Sequence, residues 1–369
     1  MKSPTAPATA PQPVQPAELV TISESDVAEI ARFIALQSGR TEETVDSHLR
    51  WFLLENPARD QRQPLGFGLR SADRFVGCIL CSPQMFRFQK EKLLLMGSSL
   101  FYVDQNHRGS GGRIFLQYCR LNREYPLFGT SANPEAAALW KAAGANPIPY
   151  SNGELFGVLR WPPVAEEFAH RRQFSRLLSR LASSRVSSLA RIFRPLKLNR
   201  QFPDALRLLL SADEANFLLH DLPAQSHSSK LTAARDLPYL RWRYFSGRDP
   251  SVAAFAFRGR RPEHEILVTV NQRTRGYRGQ INTLNVLDVY PEVPLDDWLR
   301  IVGALVARYR NAVDAVVLRS QDPERQAAFS ALGFQPRAFD APNGWFLDRF
   351  KLLPSQDWYP VPADGDGLI

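Results

Sequence analysis

Cysteine is scarce in this chain, and that scarcity removes two classes of chemistry. Only Cys78, Cys81 and Cys119 occur among 369 residues, too few for a disulfide framework or a Cys₄ zinc site. Cys78-Ile79-Leu80-Cys81 has CxxC spacing, yet it lies in an apolar run that reads as a strand, where residues three apart point to opposite faces. Buried structural thiols are the better reading. The six histidines are scattered, so no metal is expected. No run approaches the ~18 uncharged apolar residues that cross a bilayer. The first residues also lack the basic and apolar regions of a signal peptide, so a cytoplasmic protein is expected. Acidic residues are absent between His170 and Arg200, where nine Lys and Arg side chains match the whole chain's formal net charge of +9.

What is present suits a large folded protein. At ~100–200 residues per domain the length predicts two domains, and 44% apolar content is enough for two cores. Met1 to Ala17 holds five prolines among Ala, Thr and Gln and is expected to be a disordered tail. Short apolar runs at Gly66–Arg70, Phe75–Cys81 and Met85–Phe88, separated by Ser-Ala-Asp and Ser-Pro, predict an antiparallel meander, and Lys92–Val103 predicts a long strand.

That strand empties into Asp104-Gln105-Asn106-His107-Arg108-Gly109-Ser110-Gly111-Gly112-Arg113. Three glycines within four residues let backbone N–H groups crowd around one point, and a helix N-terminus behind them adds positive potential. The helix is predicted from Ile114, Phe115, Tyr118, Cys119 and Leu121, with Pro126 as its stop. Such a turn suits a pyrophosphate. It is not a dinucleotide fingerprint, because several strands precede it, nor a P-loop, because no Gly-Lys-Ser/Thr follows.

Here the chain resembles the GNAT superfamily of acyl-CoA-dependent N-acyltransferases. Arg108-Gly109-Ser110-Gly111-Gly112-Arg113 is similar to that family's Arg-x-x-Gly-x-Gly/Ala turn, and Asn133, Ala136 and Leu139 match its Asn-x-x-Ala-x-x-Leu-Tyr element. Arg113 departs from the last glycine, and Trp140 stands where the family's tyrosine serves as general acid. The resemblance implies an α/β (α+β) fold of two tandem GNAT-like domains, each a mixed, mostly antiparallel sheet flanked by helices. It implies acetyl-CoA or another acyl-CoA as co-substrate, held by Phe101, Val103, Arg108, Gly109, Ser110, Gly111, Gly112, Arg113 and Asn133. The reacting carbonyl is then expected near Ser98 to Phe101, where no carboxylate occurs. Ser99 is the catalytic candidate, acting through a water chain, while Asp104 and His107 read as structural.

The second half repeats the first. Ala253–Phe257, Glu265–Val270 and Ile281–Val289 predict another meander, Trp298–Tyr309 a helix, Ala315–Arg319 a strand, and Gln321–Phe334 a second helix. Asn133-Pro134-Glu135 and Asp322-Pro323-Glu324 both place Pro at the first helical position behind a cap. The second turn, Tyr290-Pro291-Glu292-Val293-Pro294-Leu295-Asp296-Asp297, has no glycine, two prolines and three carboxylates. It repels pyrophosphate, so only the first copy is expected to bind CoA while the second shapes the acceptor site or braces the first.

The expected organisation is a tail at 1–17, a CoA-binding domain at 18–162, a basic amphipathic linker helix at 163–200 and a degenerate domain at 201–369. The stretch 170–200 suits an anionic membrane surface or a solvated bridge between domains. Nucleic acid is disfavoured, since no binding module accompanies the charge. Arg235-Asp236-Leu237-Pro238-Tyr239-Leu240-Arg241-Trp242-Arg243-Tyr244 and the ending Trp358-Tyr359 with Ala363-Asp364-Gly365-Asp366 resemble bacterial tandem-GNAT proteins of exopolysaccharide or envelope biosynthesis. Tyr239, Trp242 and Tyr244 read equally as core aromatics. The leading reading is an acyl-CoA N-acyltransferase acting on an amino sugar or related small amine. A non-catalytic tandem GNAT module is the rival, and a FemABX-like aminoacyl transferase a third reading that leaves Arg108 to Arg113 without a CoA to hold.

Overall fold

A computed structural model describes residues 16–88, 91–149, 151, 153–170, 196, 206–220, 230–259, 265–275, 281–319, 322–338, 342–353 and 358. The expected tail therefore lies outside the described residues up to position 15, as do nearly all of the basic stretch 170–200 and the Asp-Gly-Asp ending. Among the described residues no helix is long and apolar enough to cross a membrane.

Two mixed sheets form the frame. In the first, β1 (Glu18–Ile22), β2 (Gly66–Ser71), β3 (Arg74–Phe88) and β4 (Glu91–Val103) run antiparallel in that order, and β5 (Leu127–Gly129) lies parallel to β4. Beyond it come two short strands, β6 (Asn146–Pro147) at the edge and, between β5 and β6, Trp345–Leu347 from the far end of the chain. The second sheet begins with β7 (Gly153–Val158), although this strand belongs to the first half by position. It continues with β8 (Leu206–Leu209), β10 (Val252–Arg258), β11 (Glu265–Arg275), β12 (Ile281–Tyr290), β13 (Ala315–Leu318) and β14 (Gln335–Ala338) in the order β14-β7-β13-β12-β11-β10-β8. The short β9 (Thr232–Ala233) adds to the far end of β3, and Trp345–Leu347 is β15.

The two sheets thus share one topology, four antiparallel strands and then one parallel neighbour, and each is completed by a strand from the other half. Sheet membership crosses the division expected at 162 and 200. A two-domain α/β architecture of tandem, mixed sheets flanked by helices is what the chain adopts.

One expected turn is absent. Ser82-Pro83 does not break the meander, because β3 runs unbroken from Arg74 to Phe88. In a strand the N–H and C=O of one residue point the same way, and the Pro83 carbonyl accepts Asn56 Nδ2 at 2.9 Å from outside the sheet. The missing N–H of Pro83 therefore costs no bond with β4.

Helices cover both faces. On the first half, α1 (Val27–Ser38) and α2 (Glu42–Leu49) pack on one side and α3 (Gly111–Cys119) and α4 (Pro134–Ala142) on the other. After α5 (Trp161–His170), the second half carries α6 (Ala212–His220), α7 (Leu237–Arg243), α8 (Leu295–Tyr309) and α9 (Pro323–Ala331). Helix α8 starts three residues before the expected Trp298. The two CxxC thiols separate as strand alternation requires. Cys78 joins the core under α1, Cys81 the core under α3, and burial pushes the Cys78 thiol up to about 12, far from thiolate reactivity.

The core beneath α1 and α2 is shared with α6 and α7. At its centre Trp51 Nε1 donates to Trp242 O at 2.9 Å and Trp242 Nε1 donates to Trp51 O at 3.0 Å, with the rings stacked 5.1 Å apart. Tyr239, Trp242 and Tyr244 are buried here, so the aromatic element of the second half is a clasp between halves.

Candidate acyl-CoA cleft

Strands β4 and β5 pair only at Met96–Leu127 and Gly97–Phe128. Past that fork they separate, and among the described residues no strand pairs with that edge of β4 from Ser98 onward. Glycine at 129 permits the fork to pack, since a Cβ there would lie 3.2 Å from Trp140 Cζ2. Opposite Ile79, β4 carries two residues where β3 carries one, a bulge at Leu100 and Phe101. Leu100 takes a left-handed backbone with φ of 48°, a conformation that costs a branched side chain free energy and recurs at functional sites.

The gap is a cleft of about 570 Å³ lined by Ser98, Ser99, Leu100, Phe101, Tyr102, Asn133 and Trp140, among others. It brings together Ser99, Phe101 and Asn133 from the residues singled out in the sequence. Ser99 is buried beside the bulge. Asn133 caps α4, its Oδ1 accepting from Ala136 N at 2.8 Å, and lines the cleft. Trp140 packs edge-on against Phe115 and Tyr118 at the cleft floor.

Val103 and Arg108 to Arg113 lie beyond this cavity, at the end of β4. The glycine segment is a 3-10 helix, Gln105–Ser110, that runs directly into α3. Asp104 caps it by accepting from Asn106 N at 2.9 Å, with His107 Nδ1 3.6 Å from the same carboxylate. Gly111 differs from its expected role. Its N–H turns back onto Arg108 O, and a Cβ on it would lie 3.3 Å from Val103 Cγ2 and 3.6 Å from Phe101 Cζ. Gly109 and Gly112 behave otherwise. Neither has a positive φ, and a Cβ at either would meet nothing within 4 Å. Protein packing does not demand glycine there, whereas a ligand pressed against the backbone does. Arg108 and Arg113 flank them, both exposed. The glycines thus lie within a continuous 3-10 and α-helical run, not ahead of a bare helix N-terminus as expected.

The second half carries a fork of the same kind, with its polar side chains paired to one another. Strands β12 and β13 pair from Thr283–Ala315 to Asn285–Val317 and then separate, again beside a bulge, at Leu287. There Asp288 accepts from Arg235 Nε at 2.8 Å and Tyr244 Oη at 2.6 Å, and both ionic side chains are fully buried. In the following turn Glu292 accepts from Lys230 Nζ at 2.7 Å and Arg325 Nη2 at 3.0 Å. Arg325 also donates to Val293 O at 3.1 Å.

Sequence reading missed a second cavity, of about 530 Å³, between α1–α2 and the α7–β10–β11 region of the other half. It shares Ser38, Arg40, Leu100 and Tyr102 with the acyl cleft, so the two spaces meet at the bulge. Gly39, left-handed at φ of 70°, ends α1, and Thr41 caps α2. This tight corner places Arg40 at the junction. His48 lines the same space. Burial, together with Arg243, Arg40 and Arg273, lowers its pKa to about 3, so the imidazole is neutral near pH 7. The apolar periodicity of Val27, Ile30, Ala31 and Ile34 was the available signal for α1. Nothing local showed that it faces residues 243–273.

No family model matches the chain, and no curated protein sequence does. Solved structures do. A conserved Enterococcus faecalis V583 protein described as a probable N-acyltransferase aligns with a TM-score of 0.51 at 9% identity, over 90% of this chain and 72% of its own. A GCN5-related N-acetyltransferase from Kribbella flavida gives 0.50 at 13%, over 90% and 70%. Saccharomyces cerevisiae N-myristoyltransferase with bound myristoyl-CoA gives 0.53 at 10%, over 92% and 81%. The fold is that of the GCN5-related N-acyltransferases. At these identities the likeness concerns architecture alone.

Proposed function

We propose that the chain is an acyl-CoA-dependent N-acyltransferase that works in the first fork alone. The observation that carries this reading is the run of β4 from its bulge at Leu100 to a turn whose Gly109 and Gly112 are free of any packing reason to be glycine. Phe101 and Asn133 would contact the pantetheine arm, while Arg108, Gly109, Ser110, Gly112 and Arg113 would hold the pyrophosphate, with Val103 and Gly111 as their support. Bound acyl-CoA supplies the thioester.

The chain's own groups do the rest. The free edge of β4 offers main-chain donors where the carbonyl oxygen gains charge, and the two joined cavities hold amine and thioester together. In the transfer the C–S bond breaks as the C–N bond forms, the amine gives up one proton and the thiolate gains one. His48 is a neutral imidazole on the amine side and Ser99 a buried hydroxyl beside the bulge, so both can pass the amine proton. Trp140 has no acidic proton for sulfur, and Tyr102, which lines both cavities, carries the phenol that can supply it.

The acceptor is a small amine or amino sugar, and the second half shapes its cavity through Arg243, Arg248, Asp249 and Arg273. Polysaccharide or envelope biosynthesis in the cytoplasm, with peripheral membrane contact through 170–200, is the setting that fits the element at Arg235–Tyr244. Thermal-shift measurement with acetyl-CoA, followed by thiol release across an amine panel, tests the reading. A shift with thiol release is expected; no shift contradicts it, and a shift with no release for any amine makes the chain a CoA-binding module.

A further inference from the structure

The cavity that meets the acyl cleft is unusually cationic for a space lined by only two carboxylates. Arg40, Arg243, Arg248 and Arg273 line it against Glu43 and Asp249. Two of the arginines are held by acids, Arg273 by Asp249 at 2.6 Å and Arg248 by Glu55 at 2.7 Å, the latter also donating to Ser47 Oγ at 3.0 Å. Arg243 is only 3% exposed and sits beside the stacked Trp51–Trp242 pair, its guanidinium carbon 5.6 Å from the Trp51 centroid and 5.5 Å from that of Trp242. Arg40 stands at the junction of the two cavities and makes no ion pair among the described residues. Positive charge therefore exceeds negative charge on these walls, in a partly enclosed space where Coulomb interactions are stronger than in water.

One neutral group breaks the pattern. His48 stacks on Phe52 and meets Trp51 edge-on, and its Nε2 is buried with no hydrogen-bond partner among the described residues. The arginines around it can take up negative charge.

We propose that the acceptor is an amine that also carries an oxyanion, a phosphate or a carboxylate, bound by Arg40, Arg243 and Arg273 while its amine lies beside Leu100. This rests on the acyltransferase reading above and narrows its substrate class.

The test uses the full chain in two separate assays. In the first, thiol release from acetyl-CoA is followed with matched pairs, glucosamine against glucosamine 6-phosphate and an amino-acid amide against the free amino acid. The oxyanion member is expected to have a kcat/KM higher by about tenfold or more, the worth of one charge-assisted hydrogen bond. Whichever pair shows the larger ratio identifies phosphate or carboxylate, and Arg40→Gln is expected to shrink it. In the second assay, inorganic phosphate is expected to raise the melting midpoint. Arg40→Gln or Arg273→Gln should reduce that protection, and the double variant Arg108→Gln, Arg113→Gln should keep it. Equal use of both members of each pair overturns the proposal, as does phosphate protection that depends on Arg108 and Arg113 instead of Arg40. If acetyl-CoA neither binds nor releases thiol, the acyltransferase reading fails, and phosphate protection then decides the anion site by itself.

Discussion

The two halves fold through the same sequence of strands and reach opposite chemical ends at the same place. Each opens a fork past its parallel pair, and each carries a bulge on the long strand. In the first fork the walls include Ser99, Tyr102 and Asn133. In the second, Asp288 is locked by Arg235 and Tyr244, and Glu292 by Lys230 and Arg325. Topology alone thus builds a gap between strands, and a few side chains decide whether it is a binding site or part of the core. The filled half stays useful because its surface, from Arg243 to Arg273, becomes a wall of the open half's second cavity.

Breaking the filled fork should cost stability most. Arg235→Ala leaves Asp288 buried and unpaired, and a loss of about 3–5 kcal/mol is expected in chemical denaturation; a loss under ~1 kcal/mol would mean that the second fork is not closed by this pair. Next comes the clasp between the halves. Trp242→Phe strands the Trp51 carbonyl, which should lower stability by about 1–3 kcal/mol while leaving acyl-CoA affinity unchanged by calorimetry.

The open fork should respond in binding and not in stability. Gly112→Leu places a side chain in space that no protein atom occupies, so the melting midpoint should hold while the Kd for acetyl-CoA rises at least tenfold, about 1.4 kcal/mol. The remaining test concerns pH. His48 is lowered to about 3 in the folded chain against 6.5 unperturbed, so below pH 6.5 the unfolded chain takes up a proton that the folded chain refuses. Stability should fall as pH drops from 6.5 toward 3, and His48→Gln should flatten that slope in denaturation curves measured across this range.

Much of this was legible in local patterns. The alternation of Lys92 to Val103, the glycines after it and the Pro-capped helices at Asn133 and Asp322 declare themselves within a few residues. The acids of the second turn were legible as a charge difference from the first, whereas their partners Lys230 and Arg325 were not. The strand exchange was not, since β15 is three residues long and its partner β5 lies over 200 positions away. Leu100 gave no warning because its left-handed backbone is imposed by the bulge and not by a glycine. Pro83 misled for the opposite reason, being a breaker whose cost vanishes on a free strand edge. Arg40 and His48 escaped notice because only the fold sets α1 and α2 opposite the second half.

Titration calorimetry of acetyl-CoA into the full chain tests the central claim most directly. One equivalent per chain should bind, and Gly112→Leu should weaken that binding while Glu292→Gln leaves it intact. Two equivalents, or binding lost through Glu292 and kept with Gly112→Leu, would contradict an open first fork beside a closed second one.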